Sequence, residues 1–282
     1  RMSPAYDEGT VVEDPAVGWF EDLGWSSYDG NEETIGPEET TFGRRTPSEV
    51  FLREPLRAAM EQLNPTLGPN AFDQALGILT QGHSTLSLDR GNQKVYRLLK
   101  NGIPVTVRDE KDQEVERRVT MIDWRPPTEN DFHIVQQFRV SGEPHTRVPD
   151  LVGFVNGIPL VLLELKSQKR PVRDGYDDNL TTYRDEIPQL FWPNGLVILS
   201  NRNDAVVGST TAPWEHFNRW KKVEDEDEVP RVSLERTIRA VCHPERLLDL
   251  IENFVVYSKQ EGGLTKMLAK YHQYHGVNNA VV

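Results

Sequence analysis

The chain has 282 residues, a formal net charge of -12 from 44 acidic and 32 basic residues, and one cysteine. That length suffices for one large domain, or one with a satellite, around a sizeable core. A lone thiol excludes an internal disulfide framework and no apolar run approaches the roughly 20 residues that span a bilayer, so the composition predicts a soluble, cytoplasmic protein with no membrane partner.

The acidic balance argues against a purely electrostatic DNA binder, because phosphate-neutralising domains are normally basic. The acid is concentrated, however, in residues 7–39, which lack Lys and Arg, and in the run Glu224 to Glu228. Both read as solvated surface or loop. The opening Arg1-Met2-Ser3-Pro4 lacks the basic and apolar regions of a signal peptide, which makes Met2 the expected native start.

In chain order, Asp14-Pro15 predicts an N-cap and first-turn proline of a short helix that ends at Gly24. Thr46-Pro47-Ser48-Glu49 has the form of a capping box, predicting a helix through Leu63 with a kink at Pro55 and a stop at Asn64-Pro65. From Ile103 the period becomes that of strands. Ile103 to Arg108, Arg118 to Asp123 and Phe132 to Val140 form an expected meander, which feeds a hairpin of a strand carrying Asp150 and a strand of Ile158 to Leu163, joined across Asn156-Gly157. A helix is expected around Asp177 to Glu186, followed by strands at Gly195 to Ser200 and Ala205 to Gly208. Beyond a boundary near 223–231 the chain reads as helical, with Glu245 to Tyr257 and Gly263 to about His275 as its helices. The expected division is 1–225 and 226–282. No internal repeat is present.

The chemistry concentrates at the hairpin. The first strand carries Asp150, and Glu164 and Lys166 end the second. An acid-x-Lys triplet alone says little, since roughly two arise by chance in a chain of this composition and length, and charged residues at strand ends usually face water. Register is the test. A two-residue type I′ turn at Asn156-Gly157 pairs Val155 with Ile158 and sets Asp150 and Glu164 on opposite faces. A three-residue loop with Gly157 in a G1 bulge pairs Phe154 with Ile158 and puts Asp150, Glu164 and Lys166 on one face, and this is the expected geometry. Mg²⁺ takes oxygen ligands, usually one or two carboxylates with waters and substrate phosphate. Asp150, Glu164 and the Leu165 carbonyl can supply the protein's share, while Lys166 can orient water and stabilise charge on a phosphate. Lys169, Arg170 and Arg173 follow closely, where they could meet phosphate.

Pro149-Asp150, thirteen residues, then Glu164-Leu165-Lys166 is the PD-(D/E)xK pattern. With Arg53 to Pro65, Val152 to Lys166, Tyr183 to Phe191 and Tyr271 to Val277, the chain resembles the N-terminal nuclease region of the restriction (R) subunit of type I restriction-modification enzymes. The resemblance implies an α/β restriction-endonuclease-like fold, a mixed central sheet flanked by helices, with a small C-terminal helical segment. It also implies Mg²⁺-dependent endonucleolytic cleavage of double-stranded DNA, coupled to ATP-driven translocation, in a complex with methylase and specificity subunits. No Gly-x-x-x-x-Gly-Lys-[Ser/Thr] phosphate loop occurs in the chain, so ATP would enter only through a motor beyond Val282. In that family a Gln-x-x-x-Tyr pair follows the Lys. Here Tyr183 is matched, but Asn179 stands in place of the Gln. Glu13 is similar to the acidic residue that the superfamily supplies from its first helix, and Gln273 to the glutamine that contacts adenine in the full protein. His83, His133 and His243 have no metal-ligand spacing. The rival reading is a non-catalytic interaction module of the same fold, docking the motor or methylase partners.

Overall fold

The computed structural model describes residues 10–223, 232–260 and 263–281. The expectations for Met2 and for the acidic run Glu224 to Glu228 lie outside the described residues.

The centre is a six-stranded mixed sheet in the order β1-β4-β7-β8-β9-β10. Its strands are Ser26–Asp29 (β1), Phe132–Gln136 (β4), Leu151–Val155 (β7), Ile158–Leu165 (β8), Leu196–Ser200 (β9) and Ala205–Gly208 (β10). β1 runs parallel to β4 and β8 parallel to β9, and the remaining pairs are antiparallel. Every residue of β7, β8 and β9 is buried, which explains why β8 reads as a continuous apolar run without alternation. This is the mixed, helix-flanked sheet of a restriction-endonuclease-like fold.

Helix α1 (Thr10–Asp22) begins ahead of the expected N-cap, so Glu13 lies in its first turn and Pro15 inside it. As the sixth residue of the helix, Pro15 gives up one i→i−4 hydrogen bond near the start of α1. Gly24 ends the helix as expected, with φ +88°. Helix α2 (Arg53–Leu63) starts seven residues after the capping-box threonine, because Thr46 to Glu49 forms a turn of its own, the Glu49 N–H donating to the Thr46 carbonyl at 3.1 Å. Pro55 consequently falls in the first turn of α2 and produces no kink. Helices α3 (Pro69–Thr80) and α4 (Leu88–Asn101) complete this half. The strands Ile103–Arg108 (β2) and Glu114–Val119 (β3) pair only with each other and not with the central sheet. With half of their residues exposed, they form a separate hairpin lying beside α3, not part of a meander in the central sheet. Two short strands, Val140–Ser141 (β5) and Thr146–Arg147 (β6), pair before the motif hairpin.

After β8 a helical run is built from Val172–Asp174 (α5), a π-helical turn over Gly175–Leu180, and Thr181–Glu186 (α6). Past the acidic run, Ser233–Val241 (α7) packs on α1 and β10. The Trp25 indole N–H donates to the Cys242 carbonyl at 3.0 Å, and Arg239 pairs with Asp22 at 2.7 Å. Pro244–Asn253 (α8) follows, then an antiparallel hairpin of Val255–Gln260 (β11) and Gly263–Leu268 (β12), and Tyr271–Val281 (α9). The hairpin corrects the all-helical expectation for this segment: Gly263 to Leu268 is a strand, and Tyr257 belongs to β11.

Candidate active site

The hairpin register differs from the expected one yet delivers the expected face. Asn156 and Gly157 both have positive φ, +50° and +75°, and Val155 pairs with Ile158, so the turn is the two-residue type I′ form. Left to run, that register would separate the two carboxylates. The ladder shifts by one residue between Gly153 and Phe154. Phe154 faces Pro159, whereas Gly153 faces Val161, which leaves Leu160 as an extra residue in β8. Beyond this bulge Leu151 faces Leu163, so the next pair outward is Asp150 with Glu164 on a common face. Pro159 explains the location. A proline cannot donate to a ladder, and inside a central strand it is accommodated at a bulge. The displaced Leu160 carbonyl is taken up by the Gly195 N–H at 2.7 Å and the Asn194 amide at 3.2 Å.

Asp150 uses Oδ2 to accept the Leu165 N–H at 2.7 Å, which ties the end of β7 to the end of β8. Lys166 donates from Nζ to Glu164 Oε1 at 3.0 Å, and its own N–H is held by the Ser200 carbonyl at 2.7 Å. Glu164 is 2 % exposed, and its Oε2 has no hydrogen-bond partner. Burial first, and then the charge of Asp150, push Glu164 up to about 8 against the pull of Lys166. Burial also raises Asp150, opposed by the Leu165 N–H and Lys166. A buried and a half-buried carboxylate held close without full compensation form an electrostatically unsatisfied pair that a cation would relieve.

The helical run closes over these groups. A methyl at Gly175 would touch Glu164 Cγ at 3.7 Å and Lys166 Cε at 3.9 Å, which places the π turn directly against the site. Tyr183 is buried, its hydroxyl accepting from the Asn179 amide at 3.2 Å. That hydroxyl lies near enough to Glu164 to favour the charged carboxylate, while burial and Glu164 raise the tyrosine's own pKa.

The other sequence candidates scatter. Arg170 is exposed and engaged by Asp174 at 2.9 Å and Asp178 at 2.8 Å, and Arg173 by Asp177 at 3.0 Å; Lys169 is exposed in the same loop. Glu13 accepts from Gln137 Nε2 at 2.9 Å. Gln273 is exposed on α9, where its Oε1 accepts the Lys270 N–H at 2.8 Å, away from the hydrogen bonds of the triad. His83 is buried with Nε2 on the Leu79 carbonyl at 2.8 Å, and His133 lies 3.4 Å from Asp131. Gln137 was not singled out by the sequence. It sits in the left-handed region with φ +51°, and its N–H donates to the Asp150 carbonyl at 2.8 Å. Its only sequence signal is a polar Gln136-Gln137 pair interrupting an apolar strand.

Residues 5–216 match the family described as type I restriction enzyme R protein N terminus. The chain belongs to this family. It is 35 % identical over 273 residues to the type I restriction enzyme HindI endonuclease subunit of Haemophilus influenzae, covering 93 % of this chain and 25 % of that one. It is also 28 % identical over 298 residues to the putative type I restriction enzyme MjaIXP endonuclease subunit of Methanocaldococcus jannaschii, covering 98 % and 27 %. The chain thus spans about a quarter of the length of the curated relatives it matches.

A divalent metal is implied for a restriction nuclease family. Among the described residues no group of three or more His, Cys, Asp and Glu is placed to hold a metal ion. What this R-protein region offers is a carboxylate pair, Asp150 and Glu164, with one buried oxygen, Glu164 Oε2, making no hydrogen bond. Two carboxylates completed by waters and phosphate are what Mg²⁺ uses, so the residues fit the ion. No helix among the described residues is long and apolar enough to cross a membrane.

Proposed function

We propose that the chain is the endonuclease part of a type I restriction enzyme R subunit, hydrolysing DNA phosphodiester bonds with Mg²⁺. One observation carries the reading: the β8 bulge returns Asp150 and Glu164 to a common face, with Lys166 at hydrogen-bond distance from Glu164 and Glu164 Oε2 unsatisfied. Asp150 and Glu164 would hold the metal. The Leu165 carbonyl would join them, because the N–H and C=O of a strand residue point to the same edge and the Leu165 N–H already meets Asp150. Bound there, a divalent cation would activate water and neutralise charge on the scissile phosphate. Lys166, once Glu164 has another partner, would place its ammonium on the attacking water or a phosphate oxygen. Water forms the new bond to phosphorus, and the leaving oxygen departs with the broken P–O bond, so no covalent enzyme intermediate is needed. Asn179 and Tyr183 would position DNA or Lys166 from the helix above, and Lys169 and Arg170 would meet the backbone on the loop.

In the full protein the cleavage would be coupled to an ATP-driven motor, with Gln273 at the adenine, and to methylase and specificity partners. The test uses the intact restriction complex. Lys166→Ala is expected to abolish cleavage of an unmethylated target plasmid, a loss of at least about 100-fold, while ATP hydrolysis and methylation persist. A mutant complex that still linearises the plasmid would leave the non-catalytic interaction module as the better reading.

A further inference from the structure

The end of the sheet that carries Lys166 opens into a second space. The Lys166 N–H meets the Ser200 carbonyl at the end of β9, and Asn201, the next residue, lines a cleft of about 780 Å³ together with Arg173 of α5. β9 is the neighbour of β8 and adjacent strands lie about 5 Å apart, so the cleft begins one strand away from the candidate site. Two stretches distant in sequence complete it, with Arg219 and Lys221 after β10 and Lys270 just ahead of α9. The rings of Trp220 and Tyr271, 5.8 Å apart, hold these stretches together. The charges here divide into two kinds. Arg219 is clasped by Asp204 through two hydrogen bonds, at 2.7 and 2.6 Å, Arg173 by Asp177 at 3.0 Å, and Arg170 by Asp174 and Asp178. Lys221 and Lys270 are exposed and, among the described residues, neither ammonium group has a carboxylate partner.

We infer that Lys221 and Lys270 hold the phosphate backbone of duplex DNA flanking the scissile bond, which makes this cleft a sequence-independent anchor one strand away from the end of β8. The choice of DNA among polyanions rests on the nuclease reading above. Two uncompensated ammonium groups brought to one cleft by separate elements, in a chain of net charge -12, mark a local place for an anion. The loop arginines must each give up an ion pair to reach a phosphate, whereas these lysines need not. Bases are not what the cleft holds. Trp214 has Arg173 over its ring at 5.8 Å and Phe217 stacked on it at 6.1 Å, so its ring is engaged by the protein and offers no open platform for an unstacked base. Contacts to phosphate alone fix the position of the duplex without reading its sequence.

The test is fluorescence anisotropy of a labelled, mixed-sequence DNA duplex with the 282-residue chain in EDTA, over a range of salt. Lys221→Gln and Lys270→Gln are each expected to weaken binding about tenfold at about 50 mM salt and to flatten the slope of log affinity against log salt by about 0.9, the two changes in slope adding in the double variant. Both side chains are exposed, so the melting temperature is expected to stay at the wild-type value. Lys111→Gln, in the turn of the separate β2–β3 hairpin, removes the same charge and is expected to leave the slope unchanged. An unchanged slope in both cleft variants, an equal change in Lys111→Gln, or a wild-type chain that does not bind the duplex would overturn the inference. Millimolar ATP is expected to leave the duplex bound; displacement by ATP would make the cleft a nucleotide site and overturn the inference as well. The nuclease reading is separable from this one. If the slopes flatten but the Lys166→Ala complex still cuts its plasmid, the DNA cleft stands and the catalytic assignment falls. If the slopes hold and Lys166→Ala abolishes cutting, only the cleft falls.

Discussion

At the scale of the residue, Glu164 shows how much the site costs the fold. Its pKa is raised from 4.5 to about 8 by burial and by Asp150. A raised carboxylate means that, between those values, the folded chain holds a proton the unfolded chain has released. Stability from this group is therefore complete below about pH 4.5 and is lost as pH rises through about 8. Glu164→Gln, which keeps shape and a possible partner for Lys166, is accordingly expected to raise the melting temperature of the metal-free chain by about 2–4 °C at pH 8.5, with the difference shrinking toward pH 5. The same variant should bind no Mn²⁺. Thermal melts across pH, with calorimetry at one pH, check both halves. A Gln variant that melts lower at pH 8.5 would show that the Lys166 ion pair outweighs burial. Under the proposed role of Glu164 as a metal ligand, a cation would displace its proton, so the affinity of the wild-type chain should climb with pH up to about 8.

Among the elements, the hairpin carries the clearest lesson about reading this sequence. The candidate cluster was legible, because Asp150, Glu164 and Lys166 flank an apolar run that reads as a buried strand, and the structure brings the three together. The register was not. Asn-Gly serves either a type I′ turn or a bulged loop, and the choice between them decides which face each carboxylate takes. The structure adopts the type I′ turn and then corrects the face with a bulge beside Pro159. Proline as the second residue of a central strand was the available signal. Gly157 bears on the turn from a second direction, since a methyl there would lie 2.3 Å from the Leu52 carbonyl oxygen, just where the Leu52 N–H meets the Gly157 carbonyl at 2.9 Å. The hairpin tip and the start of α2 are thus locked together without room for a side chain. Gly157→Ala combines that clash with φ +75° and is expected to destabilise the chain by about 2 kcal/mol or more. Denaturant unfolding measures this directly. A midpoint equal to wild type would contradict the type I′ assignment.

For the molecule as a whole, the sheet that bears the site was legible from its apolar runs, but the segment joined to it was misread at β11 and β12. One residue of β12 runs against its pattern. Lys266, in β12, is 1 % exposed, although a lysine in a sequence pattern marks a solvent face. Its Nζ donates to the Asn194 carbonyl at 2.7 Å and Thr210 Oγ1 at 3.2 Å, while its own carbonyl accepts the Ser209 hydroxyl at 2.6 Å. The hairpin is thereby pinned to the loops on either side of β9 and β10. Burial alone drives Lys266 down to about 7 from 10.5. A lowered lysine pKa means that between those values the unfolded chain holds a proton that the folded chain has released, so stability rises with pH across that window and the penalty is largest at acidic pH. Lys266→Met fills the same channel without a charge. It also leaves the Asn194 carbonyl with the Asn92 amide and the Thr210 hydroxyl, both at 2.9 Å, so no buried acceptor is abandoned. The variant is expected to melt above wild type at pH 6, by about 2–4 °C, and to lose that advantage by pH 10, the opposite slope to Glu164→Gln. Parallel melts of the two variants would separate the contributions. If Lys266→Met instead melts lower than wild type at pH 6, the amine's hydrogen bonds to Asn194 and Thr210 outweigh its buried charge, and the lysine is what holds the C-terminal hairpin on the sheet.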